Sequence, residues 1–373
     1  MYPTDAHPVA ITLDDVMADL AAGRSAPLRA SDHVPSLRPQ RRPTIGSPAF
    51  LRTLAAAHAF GRVHPRLAHR ALLRLWLTPW VHPSTQRPLN GLPAGLRPWT
   101  TTHDGTILRG YEGGHGPTVV LLHGWAGRAA DWRYLAGDLI AAGWRVVAPD
   151  LPAHGATDGA TTDIFALGRA AASVLRREQP DVVVTHSLGF PLTLRALEEG
   201  AQVPATVVAL APGRRASDAL DEFASRARLG DRLTGALRRA NQERYGADVF
   251  EVLDVDRVVP QLTARGLVIH DSKDADVPLE HGRHIAADWP DAELIITTGL
   301  GHRRILRDDH VRGVVVAALT DDLARAVQAG ASRNLGAHQP RTDGGERGTE
   351  GERHREPLAH QEPRRELSGA PRA

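Results

Sequence analysis

Cysteine is absent from this chain of 373 residues, which excludes disulfide bonds, thiolate metal ligands and a cysteine nucleophile. Lysine is almost absent, because Lys273 is the only one and the other basic side chains are arginines and histidines. Aromatic residues make up only 5% of the chain and no nucleic-acid-binding module is recognisable, so we expect no nucleic-acid binding. Long apolar runs are also missing, since no stretch approaches the roughly 18 uninterrupted apolar residues that a membrane-spanning helix needs.

The residues that are present are typical of a globular protein. Hydrophobic residues make up 42% of the chain and charged residues 24%, and the net charge is only +2. No charged segment followed by an apolar run indicates a secretory signal at the N-terminus. We therefore expect a soluble, cytoplasmic protein without a membrane span.

Composition divides the chain into three regions. Residues 1–98 combine helical patterns with proline-rich joints, which predicts a helical N-terminal extension. Residues 99–330 alternate short apolar runs with longer amphipathic stretches, the pattern of an α/β domain. Residues 331–373 are rich in Gly, Pro, Arg and Glu and nearly free of large apolar side chains, which predicts a disordered tail.

The middle region has the alternation that predicts a parallel sheet. Short β-branched runs, typical of strands buried on both faces, occur at 118–122, 146–148, 182–184, 206–210, 267–269 and 293–298. Amphipathic stretches predict helices at 129–142, 165–177 and 188–199, and a closing helix at 311–327. Strands and helices in alternation indicate an α/β fold class with a doubly wound, mostly parallel sheet.

One interval interrupts this alternation. Residues 213–262 follow a predicted strand and carry mainly helical patterns, at 217–229 and 233–242. In sheets of this class, an insertion at the carboxyl end of a strand lies over the crevice where ligands bind. We expect this interval to form a small helical cap above the functional site.

A serine follows one of the predicted strands directly. Residues 185–189, which read THSLG, are a variant of the Gly-x-Ser-x-Gly motif in the strand–turn–helix context that this motif requires. The sharp turn would expose the hydroxyl of Ser187 beside the free N–H groups of the helix start. Thr185 stands where glycine is usual, and we expect the turn to adjust to its branched side chain. The alternative is a serine that only begins an ordinary helix.

A glycine-rich loop at residues 123–127, HGWAG, follows the first run of the middle region. Ester hydrolysis passes through an intermediate with a negatively charged oxygen, which fixed N–H donors stabilise. We predict that the backbone N–H groups of Trp125 and Leu188 form this oxyanion hole, and that His123 orients the loop without transferring protons. The alternative is a strand-to-helix turn that binds nothing. A phosphate-binding loop is disfavoured, because neither of its glycine patterns is present.

Residues 118–155, TVVLLHGWAGRAADWRYLAGDLIAAGWRVVAPDLPAHG, resemble the first half of an α/β-hydrolase domain. Their last six residues are similar to the usual turn of this family after the corresponding strand. The resemblance extends over roughly residues 100–320. It implies the α/β-hydrolase fold, a serine hydrolase activity on ester-like substrates and a cap domain, but no particular substrate.

The resemblance also implies that an acid and then a histidine follow the nucleophile along the chain. Residues 267–278, LVIHDSKDADVP, resemble the family segment in which the acid lies shortly before a Val-Pro step, and this favours Asp274. Two neighbours compete with it. Asp271 lies where the family often has glycine, and Asp276 has the position of a cap for the following helix.

The base implied by the resemblance is His302. It lies in the sequence TTGLGHRR directly after the last predicted strand, where the catalytic histidine of the family falls. His281, His284 and His310 fit less well, because they lie within helical patterns. With Ser187 as nucleophile and Asp274 orienting His302, these residues would form a catalytic triad.

These features predict a serine hydrolase that cleaves an ester of a small, apolar substrate through an acyl-enzyme. We expect no cofactor and no metal ion. Two alternatives are open: an acyltransferase or amidase that uses the same triad, and a ligand-binding member of the fold that has no catalytic activity. The substrate-binding residues, the substrate and the oligomeric state do not follow from the sequence.

A basic amphipathic helix is predicted within residues 51–80. Its apolar residues lie on one side, with arginines elsewhere on the helix: Leu67, Ala71, Leu72, Leu75 and Trp76 against Arg66, Arg70 and Arg74. We predict that the apolar side packs on the hydrolase domain. A second interpretation is that this helix lies on an anionic membrane surface.

Overall fold

A computed structural model describes residues 11–12, 47–60, 64–80, 95–252 and 254–321. The predicted tail at 331–373 lies outside the described residues, as does most of the segment 1–98 apart from the ranges just named. The predicted closing helix is described only as far as residue 321.

Nine strands form one sheet in the described residues. They are β1 Ile11–Thr12, β2 Leu96–His103, β3 Thr106–Gly113, β4 Thr118–Leu122, β5 Arg145–Asp150, β6 Val182–His186, β7 Thr206–Leu210, β8 Arg265–Asp271 and β9 Ala292–Thr297. Their order across the sheet is β1-β9-β8-β7-β6-β4-β5-β3-β2. Strand β3 pairs antiparallel with β2 and β5, and the other neighbours pair parallel. The predicted mostly parallel α/β sheet is confirmed.

Helices precede the sheet, connect its strands and follow it. They are α1 Pro48–Phe60, α2 Pro65–Leu77, α3 Arg133–Ala141, α4 Ile164–Glu178, α5 Gly189–Glu198, α6 Ala216–Arg226, α7 Gly230–Tyr245, α8 Val249–Val252, α9 Leu279–Asp288, α10 Gly301–Arg304 and α11 at residues 309–321. Short 3-10 helices occupy Ala129–Trp132, Val255–Arg257 and Val259–Gln261. Among the described residues, no helix is long and apolar enough to cross a membrane.

Alternation along the central strands places side chains in two apolar layers. In β4, Val119 and Leu121 belong to the layer that contains residues of α3 and α11. Val120 and Leu122 belong to the opposite layer, with residues of α4 and α5. Burial of each valine or leucine side chain contributes about 1.5–3 kcal/mol to the stability of the fold. Because both faces of the sheet are covered in this way, the strands hold their loops rigidly. The continuous β-branched runs follow from burial on both faces.

The loops that contain the predicted site residues lie at the carboxyl ends of the parallel strands, which form one edge of the sheet. Strands β4, β6, β7, β8 and β9 are parallel neighbours, so their carboxyl ends lie on the same side. The loop after β4, the turn after β6, and the loops after β8 and β9 therefore lie side by side. These loops contain every site residue that the sequence predicted.

Helices α6, α7 and α8 occupy the interval that we predicted to form a cap. The helices before the sheet pack against it: Leu72 of α2 shares an apolar cluster with Leu220 of α6 and Leu237 of α7. The rings of Trp76 and Phe223 meet edge-on at 5.4 Å. The apolar side of α2 thus contacts the helices of the cap interval and leaves Leu67 45% exposed. The structure favours packing over a membrane-facing role for this helix.

Candidate active site

The turn between β6 and α5 has the backbone of a nucleophile elbow. Ser187 has φ +53°, a left-handed conformation that costs a non-glycine residue about 1–3 kcal/mol. Two hydrogen bonds hold the turn in this conformation: Ser187 N–H donates to Leu210 O at 3.0 Å, and Phe190 N–H donates to Ser187 O at 3.2 Å. Ser187 is half-buried.

Glycines allow two close approaches around Ser187. A Cβ atom on Gly124 would lie 2.8 Å from Ser187 Cβ, and one on Gly189 would lie 2.3 Å from Leu122 O. Real Cβ atoms do not approach so closely, so the loop after β4 and the start of α5 both require glycine here. The unusual Thr185 is accommodated, because its buried hydroxyl donates to Val208 O at 3.0 Å.

The loop after β4 is held by two buried histidines. His123 Nδ1–H donates to Gly124 O at 2.8 Å, while its Nε2 accepts from Leu151 N–H at 3.1 Å. His154 Nε2 accepts from Ala126 N–H at 3.1 Å. Burial lowers the pKa of His123 despite the nearby carboxylate of Asp150, so this ring stays neutral. The contacts agree with the predicted orienting role of His123.

The acid and base loops meet at the neighbouring strands. His302 Nδ1 donates to Asp274 Oδ2 at 2.8 Å, and the Asp274 side chain is fully buried. The other oxygen of Asp274 accepts from the N–H groups of Asp276 and Val277 at 2.8 and 2.9 Å. Burial opposes ionisation, but these donors and the charge of His302 outweigh it, and the pKa of Asp274 lies below its ordinary value. His302 Nε2 is left to face the site.

The three aspartates of this segment have separate contacts. Asp276 pairs with Arg226 of α6 at 2.7 Å and makes no side-chain cap on α9. Asp271 is fully buried and accepts from Lys273 N–H at 2.9 Å on one oxygen. Its other oxygen accepts from the Thr297 hydroxyl at 2.8 Å and Leu300 N–H at 2.9 Å. Asp271 therefore joins the acid loop to the base loop, a role that sequence reasoning missed.

Two further histidines surround the acid and base. His186 Nε2–H donates to the backbone oxygen of His302 at 2.8 Å, and the two rings lie 4.7 Å apart. Burial and the nearby charge of His302 hold the pKa of His186 well below its ordinary value. His270 Nε2–H donates to Val277 O at 3.0 Å. Sequence reasoning missed both, and their only signal was a histidine at the end of a predicted strand.

The competing histidines lie elsewhere. His281 Nδ1 accepts from Arg214 N–H at 3.2 Å, which joins α9 to the start of the cap interval. His284 Nδ1–H donates to Glu280 O at 2.7 Å within α9, and His310 is exposed on α11. None of the three contacts the turn at Ser187 among the described residues.

The structure thus places every predicted site residue at one edge of the sheet. Ser187 adjoins His186, whose ring lies against His302, and His302 is bonded to Asp274. Within the described chain, the Ser187 hydroxyl makes no hydrogen bond with His302. Such bonds are often long in enzymes without substrate and tighten when the substrate binds.

The loop after β4 and the elbow supply free donors beside Ser187. The N–H groups of Trp125 and Leu188 have no hydrogen-bond acceptor in the part of the chain that the structure describes. A small cleft of ≈ 30 Å³ borders this loop and the base, and its walls include Trp125, Trp132, His186, His302 and Leu306. The described residues contain no cluster of three or more His, Asp or Glu side chains that could hold a metal ion.

Comparisons with known proteins agree with this architecture. The sequence profile of the alpha/beta hydrolase family matches residues 119–319, more than half of the chain. The chain is 27% identical over 231 residues to the pimeloyl-[acyl-carrier protein] methyl ester esterase of Xanthomonas axonopodis pv. citri (strain 306), covering 52% of this chain and 90% of that protein. The same identity and coverage apply to the protein of that name from Xanthomonas campestris pv. campestris (strain B100).

Two solved structures are among those similar to this chain. A putative lipase from Acinetobacter baumannii AYE is 18% identical with a TM-score of 0.49, and the superposition covers 63% of this chain and 93% of that chain. A thermophilic esterase from Thermogutta terrifontis is also 18% identical, with a TM-score of 0.45 and coverage of 61% and 96%.

Proposed function

The chain belongs to the alpha/beta hydrolase family, and we propose that it is a serine hydrolase that cleaves carboxylic esters through an acyl-enzyme. The single observation that carries the proposal is the pair of Asp274 and His302, which lies beside a strained serine turn at one edge of the sheet. Its esterase relatives support the choice of an ester bond.

In the proposed reaction, Ser187 Oγ attacks the ester carbonyl while its proton passes to His302 Nε2. The carbonyl oxygen becomes an oxyanion that accepts from the N–H groups of Trp125 and Leu188. Collapse breaks the bond to the leaving alcohol, which takes the proton from His302. Water then repeats the sequence on the acyl-enzyme and releases the acid.

Asp274 stays ionised throughout this reaction. Its lowered pKa keeps the carboxylate charged near neutral pH, so it holds the Nδ1 proton of His302 and stabilises the imidazolium that forms. His186 carries no charge that would compete, because burial keeps it neutral. Its bond to the His302 backbone holds the base loop beside the serine turn.

The walls of the cleft favour a small substrate with an apolar part. Trp125, Trp132 and Leu306 provide apolar surface next to the histidines. A hydrocarbon chain or ring next to the ester would bury itself against these side chains.

The test is covalent labelling of Ser187 with a fluorophosphonate, followed by intact mass measurement. We expect one adduct on the wild-type protein and none on Ser187→Ala, whose turnover of 4-nitrophenyl esters should fall about a million-fold. Ser225→Ala, a change on the exposed face of α6, serves as the matched control and should keep both the label and the turnover. A wild-type protein without an adduct and without turnover would instead support a ligand-binding member of the fold.

A further inference from the structure

Two arginines follow the proposed base and line the cleft. Arg303 lies in α10 directly after His302, and Arg307 lies one turn further along the chain. Both are exposed, and both contribute to the cleft walls together with Trp125, Trp132 and Leu306. Both side chains therefore border the same cleft as the proposed base His302.

Neither arginine has an acidic partner in the described parts of the chain. Two nearby arginines are already engaged: Arg304 donates to the backbone oxygen of Gly299 at 2.7 Å, and Arg312 pairs with Asp138 at 2.7 Å and with Asp309 at 2.5 Å. An exposed arginine without a partner loses little when a ligand binds it, because no internal ion pair has to be broken.

The cleft contains one carboxylate, that of Asp131, and it is already bonded. One oxygen accepts from Arg128 N–H at 3.1 Å, and the other lies 3.6 Å from the Arg128 guanidinium. The charge that Asp131 brings is therefore offset by Arg128. Arg303 and Arg307 give the mouth of the cleft a net positive charge.

We propose that Arg303 and Arg307 form an anion subsite and that the ester substrate carries a carboxylate at a distance from the scissile bond. This inference rests on the proposed function and adds the class of substrate. A planar guanidinium binds a carboxylate through two parallel hydrogen bonds. The apolar side chains of the cleft, Trp125, Trp132 and Leu306, would hold the hydrocarbon part that separates the ester from the carboxylate.

The test uses ester pairs that differ only in charge. One pair, 4-acetoxybenzoate and 4-acetoxybenzamide, varies the leaving group. The other, phenyl hydrogen adipate and phenyl adipamate, varies the acyl part. In each pair, kcat/KM of the carboxylate is divided by kcat/KM of the amide, for the wild type and for R303Q/R307Q.

We expect the ratio for at least one pair to be about tenfold lower in R303Q/R307Q than in the wild type, the effect of losing a partly exposed charged contact. The wild-type ratio should also fall as salt is raised from 50 to 500 mM, because such contacts are screened. Arg283→Gln removes an exposed arginine from α9, outside the cleft, and should leave the ratios at their wild-type values.

Binding to Ser187→Ala separates this inference from the proposed function. Titration calorimetry with phenyl hydrogen adipate and phenyl adipamate, and with the two acetoxy compounds, measures affinity without turnover. The inference would be overturned if the carboxylate-to-amide ratio were the same with and without R303Q/R307Q, both for kcat/KM and for affinity. If the uncharged esters, 4-acetoxybenzamide and phenyl adipamate, were still hydrolysed in a Ser187-dependent way, the proposed function would stand. A wild type that takes no fluorophosphonate label and hydrolyses none of the four esters would overturn both.

Discussion

The two halves of the candidate site are held in different ways. On the nucleophile side, the loop after β4 and the turn after β6 are fixed by backbone conformation and close packing, through Gly124 and the left-handed Ser187. On the acid–base side, the loops after β8 and β9 are fixed by two buried carboxylates, Asp271 and Asp274, which accept hydrogen bonds from N–H groups of both loops. The first half should respond to added volume, and the second to removed charge.

Among changes that test how the two halves are held, the largest effect is expected from removal of charge next to the base. Asp274→Asn replaces the acceptor of the His302 Nδ1 proton with an amide and favours the wrong tautomer, so kcat should fall about 10,000-fold. Steady-state kinetics with a 4-nitrophenyl ester measure this. Asp276→Asn is the matched control, because Asp276 contacts Arg226 and not His302. Equal losses in both variants would contradict the assignment of the acid.

Added volume on the nucleophile side should have the next largest effect. Gly124→Ala would place a Cβ atom 2.8 Å from Ser187 Cβ and 2.9 Å from His186 O, so the loop has to move away from the elbow. If that loop supplies an oxyanion donor, kcat should fall about 100-fold, with a smaller change in KM. Gly313→Ala on α11 meets no atom within 4 Å and should keep wild-type kinetics. Normal turnover in Gly124→Ala would remove the loop from the mechanism.

Asp271 tests whether charge holds the acid–base loops together. An asparagine cannot accept donors on both terminal atoms, so Asp271→Asn should lower the free energy of unfolding by about 1–3 kcal/mol at pH 7. Urea unfolding of both proteins measures the difference.

The pH dependence of that difference follows from the direction of the shift. Burial of Asp271 opposes its ionisation, but the N–H groups of Gly301, Leu300 and Lys273 and the Thr297 hydroxyl hold its pKa below the ordinary value. The stabilisation is therefore present above the unfolded pKa, about 3.9, and is lost as the pH falls through the lower folded pKa. The two proteins should converge in stability below about pH 4. A gap that stays constant down to pH 2 would show that charge is not the source.

The smallest effect is expected at Thr185, where the elbow departs from the usual glycine. Thr185→Gly removes the hydrogen bond to Val208 O and adds backbone freedom, which should destabilise the fold by about 1–2 kcal/mol. The turn itself is compatible with glycine, so kcat should change by less than about threefold. Thermal unfolding and ester kinetics measure the two effects separately. A large loss of kcat would show that the threonine positions the nucleophile.

Much of the fold followed from local patterns. The predicted runs 118–122 and 206–210 coincide with β4 and β7, because a strand buried on both faces needs a continuous β-branched sequence. The boundaries of α4 and α5 were predicted to within one residue. Each of these helices packs one apolar side on the sheet, and its amphipathic pattern ends where that packing ends. The boundaries of α6 and α7 differ more from the predicted 217–229 and 233–242.

Contacts between distant segments could not be predicted in the same way. The contact of α2 with the cap interval joins residues 72 and 220, which no local pattern relates. Asp271 was considered as an acid or a substitute for glycine, whereas its partners Thr297 and Leu300 come from the next strand and loop. Arg303 and Arg307 border the same cleft as Trp125 and Trp132, which lie far from them in the chain.

The sequence by itself indicated the order of the strands and helices along the chain and the sharp turn at Ser187, because these depend on neighbours within a few residues, and its family resemblance implied the acid and base candidates. Only the tertiary structure decided that Asp274 bonds to His302, that Asp271 joins their loops, and that two arginines without partners line the cleft. These contacts arise because parallel strands bring their carboxyl ends to one edge, where residues far apart in the chain share a small volume.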